Sequence, residues 1–385
     1  MSPRNRIRVC VVLTALVHVI TYLLNTQLPL HVVALGGSHA QIGWLFAVAT
    51  GVAMVLRPQV GGWTDRYGGR AVMLPGAGIL IVTMLALNVA ATPLAFIGLM
   101  AGLGVANALI STTGSIVVAG ESPADRRGES LALYYVASSV GVALGPAIGF
   151  ALAEVGGIAL NVAVVTALAL VVAALVAGLR TAPGDPAAPG GIGPPWSRPA
   201  VPASIALIVI TLGAATVYAF LPLHAAAGGL GRIAWFFPLM SGCTIVCRLL
   251  LRRASDRFGR VRVLVPALIA IALGHVALAL PPTVASLVIG AALLGSGNSM
   301  LYPTLVALIV DRTPVAERGR AIGTLSGAWD VGLAIGSPLI ALLVQTHGYP
   351  AGFLASALST ILGLALLLTL ERRRTRTITP IPAAP

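Results

Sequence analysis

The chain has 385 residues, 57% hydrophobic and 9% charged, with a formal charge of +13 in which every basic residue is an arginine. A water-soluble protein of this length cannot cover itself with so few polar groups. Nor does the basic excess point to nucleic acid, because the arginines fall between alternate apolar runs and do not form one soluble patch.

A hydrocarbon core about 30 Å thick needs about 20 mainly apolar residues per crossing helix. Such runs occur in chain order at residues 9–32, 41–62, 71–91, 94–119, 130–154 and 158–179. A second set lies at 202–224, 232–251, 262–281, 284–310, 320–345 and 350–370. The first run continues as a full span, without the short core and small-residue cleavage site of a leader. Between the sets, the proline- and glycine-rich stretch 181–201 cannot continue a helix and reads as a linker. It separates expected units at 1–180 and 202–385, the second ending in a short basic tail. The three cysteines, Cys10, Cys243 and Cys247, make no disulfide framework, and two thiols four residues apart are a poor zinc site. No metal and no cofactor are expected.

Arginine placement orients the spans. Arg4, Arg6 and Arg8 precede span 1, and Arg66 and Arg70 follow span 2. Further arginines follow spans 4, 6, 8, 10 and 12, whereas the opposite loops hold only Arg232. Both termini are therefore expected in the cytoplasm, with the chain in a bacterial inner membrane.

An internal repeat is the sharpest signal. A shift of 191 residues superposes Trp44 on Trp235, Arg57 on Arg248, and Asp65-Arg66 on Asp256-Arg257. The register continues through Gly68 with Gly259, Asn107 with Asn298, Gly141 with Gly332 and Gly145 with Gly336. An adjustment of two residues in the first outer loop also pairs Leu28–His31 with Leu221–His224. Six crossings per copy make the halves parallel repeats about an axis normal to the membrane.

After span 2 the residues Gly61, Asp65, Arg66, Gly68 and Arg70 form G-x-x-x-D-R-x-G followed by a basic residue. The pattern returns as Asp256, Arg257, Gly259 and Arg260. Glycine permits the tight reversal. An acid beside arginine at a helix end can bind a neighbouring helix terminus and a basic partner, a latch able to break and re-form. The pattern resembles the cytoplasmic loop signature of the major facilitator superfamily, and the resemblance covers the whole chain. In span 5, Gly141, Gly145, Pro146 and Gly149 resemble the glycine–proline motif of that superfamily's antiporter branches, and Gly332 and Gly336 repeat its small-residue spacing. Small residues let helices approach closely, and Pro146 favours a kink. The resemblance implies an all-α membrane protein of twelve helices in two pseudo-symmetric six-helix bundles, and a drug or metabolite antiporter. Gly98 stands where the family often has a coupling arginine, and span 1 lacks the acid of many drug–proton antiporters.

Charges at membrane depth cost at least about 2.5–3.5 kcal/mol each on insertion scales and need a reason. Asp330, deep in span 11, is the best candidate proton carrier, and His18 is a second titratable group. The superfamily packs span 2 on span 11 and span 5 on span 8, which implies that Arg57 meets Asp330. At about 1.5 Å per residue the two differ in depth by roughly 7 Å, within reach of an arginine. Arg248 would face Ser139 instead of an acid, leaving it to backbone carbonyls or to an anionic substrate group. Asn107 and Asn298 read either as facing amides in a central cavity or as hydrogen bonds within each half. Tyr22, Asn25, Tyr218 and Tyr302 are the other candidate cavity residues.

No phosphate-binding loop is present and the loops are too short for a catalytic domain, so an enzyme is not expected. The expected activity is secondary transport: proton-coupled export of a small organic molecule, with proton-coupled uptake of a sugar, acid or metabolite as the alternative. The expected partners are that solute, protons and the lipid bilayer, not nucleic acid, and the chain is expected to work as a monomer.

Overall fold

In the computed structural model, residues 1–123, 127–181, 183–184, 196–231, 233–251, 254–314 and 317–377 are described, and among them there is no strand. In hydrocarbon the backbone must satisfy its own hydrogen bonds, so each apolar run closes into a helix. Helix α1 is Pro3–Ala34, α2 is His39–Tyr67 and α3 is Gly69–Leu87. Helix α4 starts as Pro93–Asn107, passes through a π-helical turn at Ala108–Thr112 and ends as Thr113–Glu121. The long helix Arg127–Gly178 is broken at Gly156 and Gly157 into α5 (127–155) and α6 (158–178). That the chain folds back there follows from Asn161, whose amide donates to the carbonyl of Gly149 at 3.1 Å. The second half holds α8 (Phe236–Leu250), α9 (Arg260–Ala279), α10 (Val284–Val310), α11 (Arg318–His347) and α12 (Tyr349–Thr377).

Helix α7 departs from the expected continuous span at 202–224. It is built of three pieces, Val201–Thr211, Thr216–Ala219 and Leu221–Ala227. Gly213 lies in the first break, its backbone pressed against Ser356 of α12, and Pro222 has no N–H to carry the ladder across the second. Span 8 is also shorter than expected, because the helix begins at Phe236. Most of the expected linker (182 and 185–195), Arg232, and the side chains of Asp256 and of 318–319 lie outside the described residues.

Helices α1 to α6 form one bundle and α7 to α12 a second, matching the pseudo-symmetric all-α fold. The repeat is written into the backbone. All described residues with positive φ are glycines, and they pair between halves: Gly36 with Gly229, Gly68 with Gly259 and Gly157 with Gly348. Each marks a reversal that a side chain would strain. Thr92 and Thr283, in the same register, cap the N-termini of α4 and α10 by accepting from Ala95 and Ser286.

Within each half one close approach dominates. Gly141 and Gly145 of α5 lie against α1, where an added Cβ would come 2.6 Å from the Ala15 carbonyl and 2.8 Å from the Leu23 amide. Gly332 and Gly336 of α11 lie in the same way against Ile208, Thr211 and Leu212 of α7. The glycine motif therefore joins helices inside a bundle. The two halves meet along two main seams, α2 with α11 and α5 with α8, and also where α1 meets α7.

Candidate functional site

A cavity of about 440 Å³ lies between the bundles at mid-depth, a size suited to a small organic molecule. It is lined by residues of both halves, including His18, Tyr22, Asn25, Arg57, Asn107, Tyr218, Arg248, Asn298, Tyr302 and Asp330. All the candidate cavity and proton-coupling residues named from the sequence thus reach one space. Its walls are mixed: Phe46, Val217, Met240 and Leu333 are apolar, and Thr50, Ser138, Thr244 and Ser326 carry hydroxyls.

On the α2–α11 seam, Arg57 Nε lies 2.8 Å from Asp330 Oδ2. The approach is not aligned as a hydrogen bond, so the attraction is chiefly that of charge. Arg57 Nη2 also donates to Asn107 Oδ1 at 3.4 Å, and Asn107 Nδ2 to Thr21 Oγ1 at 3.4 Å. Asn107 therefore ties the pair to α1 and sits at the mouth of the π turn, a local rewinding common at functional sites. Asn298 instead donates to the Leu294 carbonyl of its own helix. The two amides line the cavity without bonding each other, which favours hydrogen bonding within each half over a facing pair.

The pseudo-symmetric seam, α5 with α8, is built differently. Arg248 Nη1 donates to Ser139 Oγ at 3.3 Å and its Nε to the Ser299 carbonyl at 3.3 Å. Among the described residues no carboxylate pairs with it. His18 shares its Nδ1 with the Thr14 carbonyl at 2.8 Å, a bond within α1.

Toward the arginine-poor face the cavity is roofed. Tyr22 and Tyr218 meet edge-on at 4.9 Å across the two halves, and Phe237 stacks on Tyr218 and then on Phe150. Beyond them His39 Nε2 and the Tyr349 hydroxyl are 3.0 Å apart, and the Ala40 N–H donates to Gln345 Oε1 at 3.1 Å. A Cβ on Gly43 would come 2.5 Å from Ala341, so α2 and α11 touch there. On the arginine-rich side of Arg57 and Asp330 the same helix faces present Gly61, Gly323 and Gly327, and among the described residues a Cβ on any of these meets no atom within 4 Å. The helices diverge there. The cavity is closed to the arginine-poor face and open to the other.

The loop signature sits at that open end. Gly68 ends α2 and begins α3 with φ 83°, and Gly259 does the same before α9 with φ 93°. Asp65 is exposed and makes no ion pair or hydrogen bond among the described residues. Arg66 lies over the Tyr67 ring at 5.6 Å, and the backbone N–H of Arg70 donates to Thr181 Oγ1. In the second copy Arg260 Nε pairs with Asp311 Oδ2 at 3.0 Å and its Nη1 donates to Ser255, while Arg257 is exposed.

The sequence reading missed Tyr135 and Trp329, which flank Tyr302 in the cavity wall, and the His39–Tyr349 contact that closes the far end. Trp329 was signalled by its place beside the single deep acid. No comparable signal marked Tyr135, or His39 at a helix start. Among the described residues no group of His, Cys, Asp or Glu would hold a metal ion.

A family model described as Major Facilitator Superfamily matches residues 10–231 and 203–385. An uncharacterized MFS-type transporter of Pseudomonas aeruginosa (strain UCBPP-PA14) is 31% identical over 175 residues, 46% of this chain and 44% of that protein. The chain thus spans less than half the length of this relative. An uncharacterized MFS-type transporter of Salmonella typhimurium is 26% identical over 355 residues, covering 86% of this chain and 88% of the relative. Among solved structures, the nucleoside transporter NupG aligns with a TM-score of 0.76 at 14% identity, covering 96% of this chain and 99% of its own. A POT family transporter in complex with 5-aminolevulinic acid aligns with a TM-score of 0.79 at 11% identity, covering 97% and 96%. At such identities these structures show the shared fold.

Proposed function

The chain belongs to the major facilitator superfamily, and on that premise we propose that it is a multi-pass membrane transporter that exports a small organic molecule in exchange for protons by alternating access. One observation carries the proposal: a mid-depth cavity sealed on the arginine-poor side and open on the other, with an ion pair joining the two bundles in its wall. The arginine bias supports assigning the open side to the cytoplasm of a bacterial cell, with both termini there. A solute then enters from inside, and rocking of residues 1–180 against 202–385 across the 181–201 linker exposes it outside.

In this reading Asp330 carries the proton and Arg57 is its alternating counter-charge. When the α2–α11 seam is tight the guanidinium holds the carboxylate ionised. When the seam loosens, the carboxylate takes a proton from the outer side. His18 lies in the same cavity as a second proton site. The signature around Asp65 acts as the latch of the other state, engaging the start of α11 when the open side closes.

The test is flux through the full-length protein in liposomes, under an imposed pH gradient, with a panel of labelled drugs and metabolites. Export predicts accumulation on the side facing the arginine-poor loops, driven by protons moving the other way. Accumulation in the same direction as protons replaces export with uptake, and no flux for any solute refutes transport by the chain alone.

A further inference from the structure

The two seams are pseudo-symmetric copies that differ in the group facing the arginine across the seam. A shift of 191 residues carries Arg57 onto Arg248, and it carries Ser139 onto Asp330. One seam holds arginine against carboxylate at 2.8 Å, and the other holds arginine against a hydroxyl at 3.3 Å. Arg248 is therefore built into the position of a paired cation, yet among the described residues no acid pairs with it.

We propose that the missing acid comes from the substrate: the cavity takes a small amphiphilic organic anion whose carboxylate binds Arg248 and Ser139. Three observations carry this. With Asp330 ionised, the charges of Arg57, Arg248 and Asp330 leave the cavity one positive charge over. Arg248 commits its Nε to Ser299 and one Nη1 proton to Ser139, which leaves three of the five guanidinium N–H donors for a ligand. A planar guanidinium with free donors is the group that matches a carboxylate fork. The body of the anion meets Tyr135, Tyr302 and Trp329, which form one edge-to-face chain of rings in the wall, and this favours an aromatic or other flat apolar body. Because Ser139 and Arg248 come from opposite bundles, the bound carboxylate bridges the second seam as Asp330 bridges the first. Loading of the substrate and closure of the seam are then coupled.

This deepens the transport reading and rests on it for the cavity's use, but its test does not require flux. Purified full-length protein is titrated at neutral pH with radiolabelled naphthylacetate, and with its uncharged amide and naphthylethylamine as competitors. The wild type is expected to bind the anion about tenfold to a hundredfold more tightly than the amide, the range of a hydrogen bond to a charged group. Arg248→Gln should erase that preference and Arg248→Lys should retain part of it. Ser139→Asp, which adds a carboxylate where the other seam has one, should also abolish anion binding by occupying Arg248 from within. The proposal is overturned if the wild type shows no saturable naphthylacetate binding or no anion preference, if the amine binds best, or if Ser139→Asp binds as the wild type does. Flux of an uncharged or cationic solute with naphthylacetate ignored would sink this inference and leave transport standing. Anion-selective binding without flux of any solute would do the reverse.

Discussion

Replacing Asp330 by asparagine keeps the shape of the α2–α11 seam and removes its charge. At 2.8 Å and an effective dielectric of about 20 the gross attraction to Arg57 is about 6 kcal/mol. Desolvation offsets much of that. Arg57 keeps 29% of its side chain accessible and retains the Asn107 contact, whereas Asp330 is only 8% accessible. The net loss of stability should therefore be modest, about 1–3 kcal/mol, and the variant should fold. The effect on coupling is all-or-none. One pH unit supplies about 1.4 kcal/mol per proton, enough for about tenfold accumulation of a solute at one proton per cycle. The assay is flux in liposomes with a gradient of one pH unit and the membrane potential clamped at zero. Asp330→Asn should lose accumulation entirely while still exchanging labelled for unlabelled solute. Arg57→Ala, measured alongside, should flatten the pH dependence of the rate. Accumulation by Asp330→Asn above the level of protein-free liposomes would refute Asp330 as the carrier.

Asp65→Asn should lower turnover by about tenfold or more with solute affinity nearly unchanged, because it alters exchange between states and not the cavity; equal turnover would reduce Asp65 to a topological role. Gly336→Ala should destabilise the purified protein by about 1–3 kcal/mol in thermal unfolding, since its methyl group would strike the Leu212 carbonyl of α7. Gly323→Leu has free space in this state and should leave thermal stability within about 0.5 kcal/mol, yet it should stop transport by blocking closure of the open side. Wild-type turnover in Gly323→Leu would argue that α2 and α11 never meet there.

The sequence was most legible where lipid imposes a simple rule. Apolar runs of span length became helices, and the repeat register reappeared in the paired glycine reversals at 68 and 259 and at 157 and 348. The meeting of Arg57 with Asp330 and of Arg248 with Ser139 was legible only through the family resemblance, which implies that span 2 packs on span 11 and span 5 on span 8. Less legible was whatever depends on packing between distant segments. The first break in α7 arises where Gly213 meets Ser356, a contact between distant segments that the apolar run does not show. The placement of Gly141 and Gly145 against α1 likewise could not be read from their spacing, since a small-residue stripe shows that a helix approaches but not which one. His39 and Tyr349 are ordinary helix-start residues until the two bundles bring them to 3.0 Å.

The central claim is that the two bundles rock about the cavity so that one face closes as the other opens. Paired spin labels test it without knowledge of the solute, in a background with Cys10, Cys243 and Cys247 replaced by serine. One pair sits at Ala40 and Thr346 on the arginine-poor side, and the other at Gly61 and Gly323 on the arginine-rich side. Double electron–electron resonance in lipid nanodiscs across a range of pH should show two distance populations for each pair. As the short Ala40–Thr346 distance loses population, the long Gly61–Gly323 distance should lose population with it. A single invariant distance at both faces, or lengthening at both together, would contradict alternating access.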